Sequence, residues 1–134
     1  MPSPVFIVDD SELLVELLIE IVGAQPDLQV CGTAGSGEEA LDRLTGRDGQ
    51  PPPACAIALV DIRMPGMNGI DLVRELSAAR PELPCVMVSA HAEEVYVNGA
   101  IAAGAKGYVM KGNPSALLSA VRRVLGGETA FTEG

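Results

Sequence analysis

The sequence has no tryptophan and few aromatic residues of any kind. Phe, Trp and Tyr together make up 3% of the 134 residues, whereas 48% are hydrophobic. A chain of this length is long enough for one domain with a sizeable core and short for two. We therefore expect a single domain whose core is aliphatic, built from Val, Leu, Ile and Ala.

Positive charge is also scarce. Lys and Arg number 9 against 18 Asp and Glu, which gives a formal net charge of −9, and the basic residues form no run. A surface of this charge repels the phosphate backbone of nucleic acids. We infer that these residues are not themselves a nucleic-acid-binding module.

Metal-binding cysteine motifs and long apolar segments are missing as well. Cys31, Cys55 and Cys85 form no CxxC motif and no Cys/His metal spacing. An odd number of cysteines without evident pairing fits a reducing cytosol. The sequence shows neither a signal peptide nor an apolar run of about 18 residues. We expect a soluble, cytoplasmic protein with no membrane partner.

Short apolar segments alternate five times with segments of helical spacing. The apolar segments, predicted to be strands, cover residues 5–8, 28–33, 56–60, 85–88 and 107–110. Strands without polar alternation are buried on both faces, so the sequence predicts a parallel sheet covered by helices on both sides. The Gly- and Pro-rich segment 46–53 is predicted to be a loop, and the Ala-rich segment 93–103 a weak, mobile helix.

Polar residues follow most of these strands directly. Asp9 and Asp10 come after the first strand, Asp61 after the third, Ser89 after the fourth and Lys111 after the fifth. Each residue alone has an ordinary explanation as a helix cap, a turn residue or a solvated lysine. The carboxyl ends of parallel strands share one edge of the sheet, however, so the five side chains are expected to converge on one crevice.

The chemistry of this set is coherent. Three neighbouring carboxylates repel one another unless a cation lies between them, and Mg²⁺ prefers such oxygen ligands. A carboxylate can attack a phosphoryl group to form an aspartyl phosphate. A lysine and a hydroxyl can then neutralise and hydrogen-bond the phosphoryl oxygens. The residues therefore favour a Mg²⁺-assisted phosphoryl-accepting site.

Four segments carry a family resemblance. IVDDSE at 7–12, LVDIRMPGMNG at 59–69, VSAHAE at 88–93 and GYVMKG at 107–112 resemble, in order, the signature segments of two-component receiver domains. The resemblance covers nearly the whole chain. It implies a flavodoxin-like (βα)5 α/β fold with a five-stranded parallel sheet of order 2-1-3-4-5. It also implies a receiver domain at 1–127, with the start of a C-terminal linker or tail at 128–134.

The same resemblance assigns the residues of the phosphoryl and metal site. It implies that Asp61 is the phosphoacceptor. Asp10 and Asp61, with the backbone carbonyl of Arg63, would bind Mg²⁺ directly, and Asp9 would assist through water. Ser89 would hydrogen-bond the phosphoryl group.

Further positions of the family pattern surround that site. Lys111 would pair with the phosphoryl group, and Tyr108 occupies the position of the switch aromatic, which acts together with Ser89. Ala90 is small and leaves room beside the phosphoryl group. Arg63 and His91 flank the route of the hydrolytic water, and we expect them to lengthen the life of the acyl phosphate.

Two departures from the family pattern are visible. Asp10 and Asp61 are farther apart in sequence than we expect for the family, and the loop at 46–53 absorbs the excess. Gly112 stands where the family often has proline, so a cis bond after Lys111 is disfavoured.

The resemblance implies a signalling domain and not an enzyme, one that assists only its own phosphorylation and dephosphorylation. A sensor histidine kinase or phosphotransfer protein would supply the phosphoryl group, and phosphorylation would promote a homodimer. The segments look most like receivers attached to LuxR-type (NarL/FixJ-like) regulators. We therefore expect control of transcription through a DNA-binding output domain outside this chain.

Three other classes of protein share parts of this pattern. A haloacid dehalogenase-type phosphatase carries a D-x-D motif that begins with its nucleophile. In this sequence Arg63 stands at the position of the second Asp. A flavodoxin would bind a flavin phosphate after the first strand, where Asp9 and Asp10 would repel it, and the glycine-rich segment 32–37 does not fit GxGxxG. The remaining alternative is a phosphorylation-independent pseudo-receiver that acts as a protein-binding module.

Overall fold

The computed structural model describes residues 1–91 and 93–131. The strands are β1 (Ser3–Val8), β2 (Leu28–Ala34), β3 (Ile57–Val60), β4 (Cys85–Ser89), β5 (Gly107–Met110) and β6 (Ala130–Phe131). The helices are α1 (Glu12–Gly23), α2 (Gly37–Thr45), α3 (Gly69–Ala79), α4 (Glu94–Ala103) and α5 (Pro114–Leu125). Within the described residues, none of these helices has the length and apolar character needed to cross a membrane.

The strands form one parallel sheet with the order β2-β1-β3-β4-β5-β6. The predicted order of the first five strands is confirmed, but the predicted five-stranded sheet is wrong because a sixth strand is present. Gly127, at a φ of 93°, follows the end of α5, and Ala130 then pairs with Gly107 of β5. The segment expected to be a linker or tail at 128–134 thus contributes two residues to the sheet, and its residues 132–134 lie outside the described part.

The helices of the described residues cover both faces of the sheet, as the mostly apolar strands predict. Residues of α2, α3 and α4 pack in one core cluster, and residues of α1 and α5 pack in the other. All four residues of β3 are buried. Phe6 and Tyr108 are the aromatic residues among the largest fully buried side chains, and aliphatic residues make up the rest apart from Met87. The prediction of an aliphatic core is confirmed.

Local capping residues fix where most helices begin. Ser11, Ser36, Asn68 and Asn113 each accept a hydrogen bond from a backbone N–H in the first turn of the helix that follows. Helix α4 differs, because it begins after Glu93 without a side-chain cap. This agrees with the weak helix predicted there; its mobility stays a prediction, and Ala92 lies outside the described residues.

The Gly- and Pro-rich loop at 46–53 connects the end of α2 to the start of β3. It therefore lies at the edge where the strands begin, opposite the edge that carries Asp61. Gly46 ends α2 in the left-handed conformation, with a φ of 77°. Arg80 secures both ends of the loop, because its Nη1 donates to the carbonyls of Leu44 at 3.1 Å and Pro53 at 3.4 Å.

Candidate functional site

Three carboxylates converge where β1 and β3 end. Backbone hydrogen bonds continue the sheet past both strands, since Asp9 N donates to Ala34 O at 3.1 Å and Asp61 N to Val8 O at 2.9 Å. The side chains of Asp9 and Asp61 are buried, whereas Asp10 is exposed. One carboxylate oxygen from each of the three residues lies within 4.8 Å of the others. The predicted convergence of these acids is confirmed.

Lys111 reaches the same crevice from the end of β5. Its Nζ lies 3.1 Å from Asp61 Oδ1 and 3.4 Å from Asp9 Oδ2. The backbone N–H of Lys111 donates to Ser89 O at 2.8 Å, which fixes where the side chain begins. Gly112 follows with a φ of 87°, and no peptide bond within the described residues is cis. A residue with a side chain would rarely adopt that φ.

The three carboxylates of the site carry more negative charge than the single ammonium of Lys111 balances. Burial raises the pKa of Asp61; the hydrogen bond from Lys111 opposes this shift, and the charges of Asp9 and Asp10 reinforce it. Burial acts against the ammonium of Lys111, but its hydrogen bond and ion pair with Asp61 outweigh that effect, so the pKa of Lys111 is raised. Lys111 is therefore a permanent cation at neutral pH, and it faces two buried carboxylates.

The donor set fits a hard divalent cation. Three clustered carboxylates offer the oxygen ligands that Mg²⁺ prefers, and one nearby ammonium leaves their charge only partly balanced. Asp10, Asp61 and Asp9 are the side chains that would hold the ion. The role of the Arg63 carbonyl as a further ligand stays a prediction.

Ser89 and Tyr108 are linked through the backbone of His91. Ser89 is buried at the end of β4, and its Oγ accepts a hydrogen bond from His91 N at 3.0 Å. The Tyr108 hydroxyl donates to the His91 carbonyl. Burial raises the pKa of Tyr108, and a hydrogen bond with Ser89 partly opposes the shift. A displacement of Ser89 would therefore move the His91 backbone to which the Tyr108 hydroxyl is bonded, while the role of the two residues as a switch stays a prediction.

Arg63 and His91 are brought into contact with each other. Arg63 Nη1 lies 3.4 Å from His91 Nε2, and the other ring nitrogen of His91 lies 3.7 Å from Glu93 Oε1. The His91 ring also packs 5.6 Å from the ring of Tyr96, measured between centroids. The two residues thus form a small cluster at the surface, while their effect on phosphate lifetime stays a prediction.

Gly69 supports the site in a way that sequence reasoning missed. A Cβ at this position would lie 2.0 Å from the carbonyl oxygen of Asp61 and 2.9 Å from Ile62 Cα. Gly69 N donates to Ile62 O at 2.8 Å, so the first residue of α3 closes the loop directly behind Asp61. No local sequence pattern reveals such a close approach of two backbone segments.

Comparison with known proteins agrees with this geometry. Residues 5–122 match the family described as the response regulator receiver domain. The DNA-binding transcriptional activator DevR/DosR of Mycobacterium tuberculosis is 39% identical over 107 residues, which are 80% of this chain and 46% of that protein. This chain thus spans about half the length of that relative.

Two solved structures show the same fold over most of both chains. A LuxR-family two-component response regulator from Aurantimonas sp. SI85-9A1 superposes with a TM-score of 0.86 at 26% identity, covering 97% of this chain and 89% of that one. The CheX–CheY–BeF3–Mg²⁺ complex from Borrelia burgdorferi contains a chain that matches with a TM-score of 0.81 at 29% identity, covering 92% and 90%. This chain therefore belongs to the response regulator receiver domain family.

Proposed function

We propose that this domain accepts a phosphoryl group on Asp61, with Mg²⁺ bound, from a sensor histidine kinase or phosphotransfer protein. The observation that carries the proposal is the position of Asp61. It is a buried carboxylate at the end of β3, 3.1 Å from the Lys111 ammonium and clustered with Asp9 and Asp10. Such a carboxylate is placed to act as a nucleophile while opposite charges face the group that it receives.

Each residue of the site has a separate role in the proposed phosphoryl transfer. A carboxylate oxygen of Asp61 forms the new bond to phosphorus as the bond from phosphorus to the donor breaks. Asp9, Asp10 and Asp61 would hold a Mg²⁺ ion, which would supply positive charge to the phosphoryl oxygens. Lys111 pairs with one of these oxygens, and Ser89 donates its hydroxyl hydrogen to another. The domain is in this proposal a phosphoacceptor, which assists only its own phosphorylation and dephosphorylation.

A direct test uses acetyl phosphate, a small donor that needs no kinase. With Mg²⁺ present, the mass of the intact protein should rise by one phosphoryl group, and hydroxylamine should remove it. The matched complex from Borrelia burgdorferi supports this expectation, since it combines Mg²⁺ with BeF3, a mimic of the phosphoryl group. An unchanged mass would favour the alternative of a phosphorylation-independent binding module.

The output that we propose is control of transcription. The DevR/DosR relative is a DNA-binding transcriptional activator, and this chain matches less than half of it. The net charge of −9 makes the present residues unsuited to holding DNA themselves. An output domain joined to the receiver would make that contact, and the phosphorylation state of the receiver would control it.

Phosphorylation is expected to convert a monomer into a homodimer. Ser89 moving toward the phosphoryl group would shift its partner Tyr108 and reset the neighbouring surface. Two surfaces are candidates for the contact: the surface of α1 and α5, where Leu13 of α1 is 78% exposed, and the surface of α4, where Val95 is 73% exposed. Sedimentation velocity with and without beryllofluoride should show the change in mass.

Two matched variants identify the dimer surface. Leu13→Lys and Val95→Lys each add one charge to an exposed apolar position without disturbing the core. The variant on the contacting helix should remain a monomer with beryllofluoride, while the other should dimerise as the unaltered protein does. A wild-type protein that stays monomeric under both conditions would disprove the prediction.

Arg63 and His91 are expected to slow loss of the phosphoryl group. Both side chains can donate hydrogen bonds, and their contact at 3.4 Å supports the proposal that they act together to obstruct an attacking water. Opening the route with Arg63→Asn plus His91→Glu should accelerate dephosphorylation roughly tenfold, which corresponds to about 1.4 kcal/mol of barrier. Phosphate release would be followed after removal of the donor at fixed Mg²⁺ and pH.

Arg74→Asn provides the matched control, since Arg74 is an exposed arginine that pairs with Asp71 on α3. It should leave the rate unchanged. A change below about twofold in the double variant, well under 1 kcal/mol by the same relation, would show that these residues do not set the lifetime.

A further inference from the structure

Two cysteines that are distant in sequence lie in contact. The Sγ atoms of Cys31 and Cys55 are 2.9 Å apart, although 24 residues separate them. Cys31 belongs to β2, and Cys55 lies in the connection just before β3. Both side chains are partly exposed, so a small oxidant can reach them. The third cysteine, Cys85, differs from this pair because it is buried in β4.

A bulge in β2 explains why Cys31 is available for this contact. Val30 pairs with Val5 and Gly32 with Phe6, so Cys31 is the extra residue between two regular pairs of the ladder. A bulge of this kind re-aims the side chain of the residue it inserts. Ala56 N donates to Pro4 O at 2.9 Å, which brings the connection carrying Cys55 against the same part of β1.

The charges around the pair favour a thiolate on Cys31. A hydrogen bond with Cys55 lowers the pKa of Cys31 against the opposing effect of burial, and the positive charges of Arg43 and Arg80 lower it further. The same hydrogen bond raises the pKa of Cys55, so Cys31 loses its proton first. The two guanidinium groups also disfavour a bound metal cation. The pair therefore consists of a nucleophilic thiolate beside a thiol that can resolve it.

We propose that Cys31 and Cys55 form a peroxide-sensitive thiol pair, which closes a disulfide between β2 and the connection before β3. The two sulfurs need to approach by roughly 1 Å to reach the disulfide bond length of about 2.05 Å. Cys55 lies outside the regular strands, so this shift does not require the sheet to move. The proposal does not depend on phosphorylation, because the pair lies away from the edge that carries Asp61.

The oxidation proceeds in two balanced steps with hydrogen peroxide as the oxidant. The Cys31 thiolate attacks one oxygen of the peroxide, the O–O bond breaks, and the leaving hydroxide takes up a proton from solvent, so the products are a Cys31 sulfenic acid and water. The sulfur of Cys55 then attacks the Cys31 sulfur, the S–O bond breaks, and a second water leaves with the thiol proton of Cys55. Both sulfurs are oxidised, and the peroxide oxygens are reduced.

Peptide mapping tests the proposal on the full chain. After peroxide treatment, and before free thiols are blocked for digestion, the intact mass should be lower by two hydrogen atoms, and dithiothreitol should reverse the change. Trypsin cuts at Arg43, Arg47 and Arg63, so Cys31 lies in peptide 1–43 and Cys55 in peptide 48–63. Without reductant, these two peptides should appear as one linked species.

The melting temperature of the oxidised protein should rise on the order of 5–10 °C, because the disulfide constrains the unfolded chain.

Single variants separate this pair from the remaining cysteine. Cys55→Ser should lose the link and leave a sulfenic acid on Cys31 that dimedone traps, whereas Cys85→Ala should keep the link. Asp61→Asn should also keep it, so a failure of the phosphoryl proposal would not be mistaken for a failure here. A link to peptide 75–106, links only between chains, or oxygen addition without loss of hydrogen would overturn the proposal.

Discussion

Replacing Asp61 by asparagine should abolish phosphorylation by small donors. The amide keeps the size of the carboxyl group but lacks the anionic oxygen that attacks phosphorus, so the intact mass should stay unchanged where the unaltered protein gains a phosphoryl group. We do not expect the neighbouring acids to replace it. Asp10 is exposed, and Asp9 Oδ1 already accepts a hydrogen bond from Ser11 N at 2.9 Å.

The loss should not reflect unfolding. The pKa of Asp61 is raised mainly by burial, so the folded state favours its protonated form. The side chain therefore supports folding best at low pH, and this contribution is lost as the pH rises through its ordinary and then its raised pKa. At neutral pH the buried carboxylate carries an energetic penalty that the neutral amide avoids. The melting temperature of Asp61→Asn should consequently equal or exceed that of the unaltered protein.

Asp71→Asn is the matched control for this substitution. Asp71 is an acid on α3 that forms an ion pair with Arg74 at the surface, away from the crevice. Its removal should leave the phosphorylated fraction unchanged. Equal mass increases in Asp61→Asn and in the unaltered protein would refute the assignment of the phosphoacceptor.

Removal of Mg²⁺ should slow phosphorylation on the order of 100-fold, the scale seen when one preorganised charge-stabilising group is lost from a site. Asp9, Asp10 and Asp61 crowd negative charge, and a phosphoryl group would add more. Lys111 is the nearby cation that offsets it. Excess chelator should therefore prevent the mass increase, and Asp10→Ala should do the same at ordinary Mg²⁺ concentrations.

Thermal unfolding gives a second measurement of the metal that does not depend on phosphoryl transfer. An ion bound only by the folded state at a hundred times its dissociation constant stabilises that state by about 2.7 kcal/mol. Mg²⁺ should therefore raise the melting temperature by several degrees in the unaltered protein and much less in Asp10→Ala. Glu75→Ala, which removes an exposed acid of α3, should respond as the unaltered protein does. Rapid phosphorylation in chelator would rule out the metal role.

Much of the fold was predictable because most of the strands are short and apolar. Four of the five predicted strands are followed directly by a polar residue, and parallel pairing carries Asp9, Asp61, Ser89 and Lys111 to one edge without further information. The convergence of the site follows from chain direction alone. The capping residues Ser36 and Asn113 likewise identify helix starts through local chemistry that needs no tertiary contact.

The features that the sequence did not reveal depend on contacts between distant segments. Strand β6 has only two residues, too few for any periodicity, and it exists because β5 offers an open edge where the chain returns from α5. The close approach of Gly69 to Asp61 requires knowing how the intervening loop folds. The contact between Cys31 and Cys55 requires a bulge in β2, which leaves no signature in a single sequence.

The loop at 46–53 has a practical consequence for protein engineering. Its residues from Asp48 to Pro52 are exposed, and Arg80 secures its two ends to the body of the domain. Exposed loop tips of this kind accept inserted segments with little loss of stability, and lengthening a loop costs little closure entropy. A fluorescent reporter or peptide tag inserted there would stand at the opposite edge of the sheet from Asp61, and it would leave both the acceptor crevice and the chain termini free.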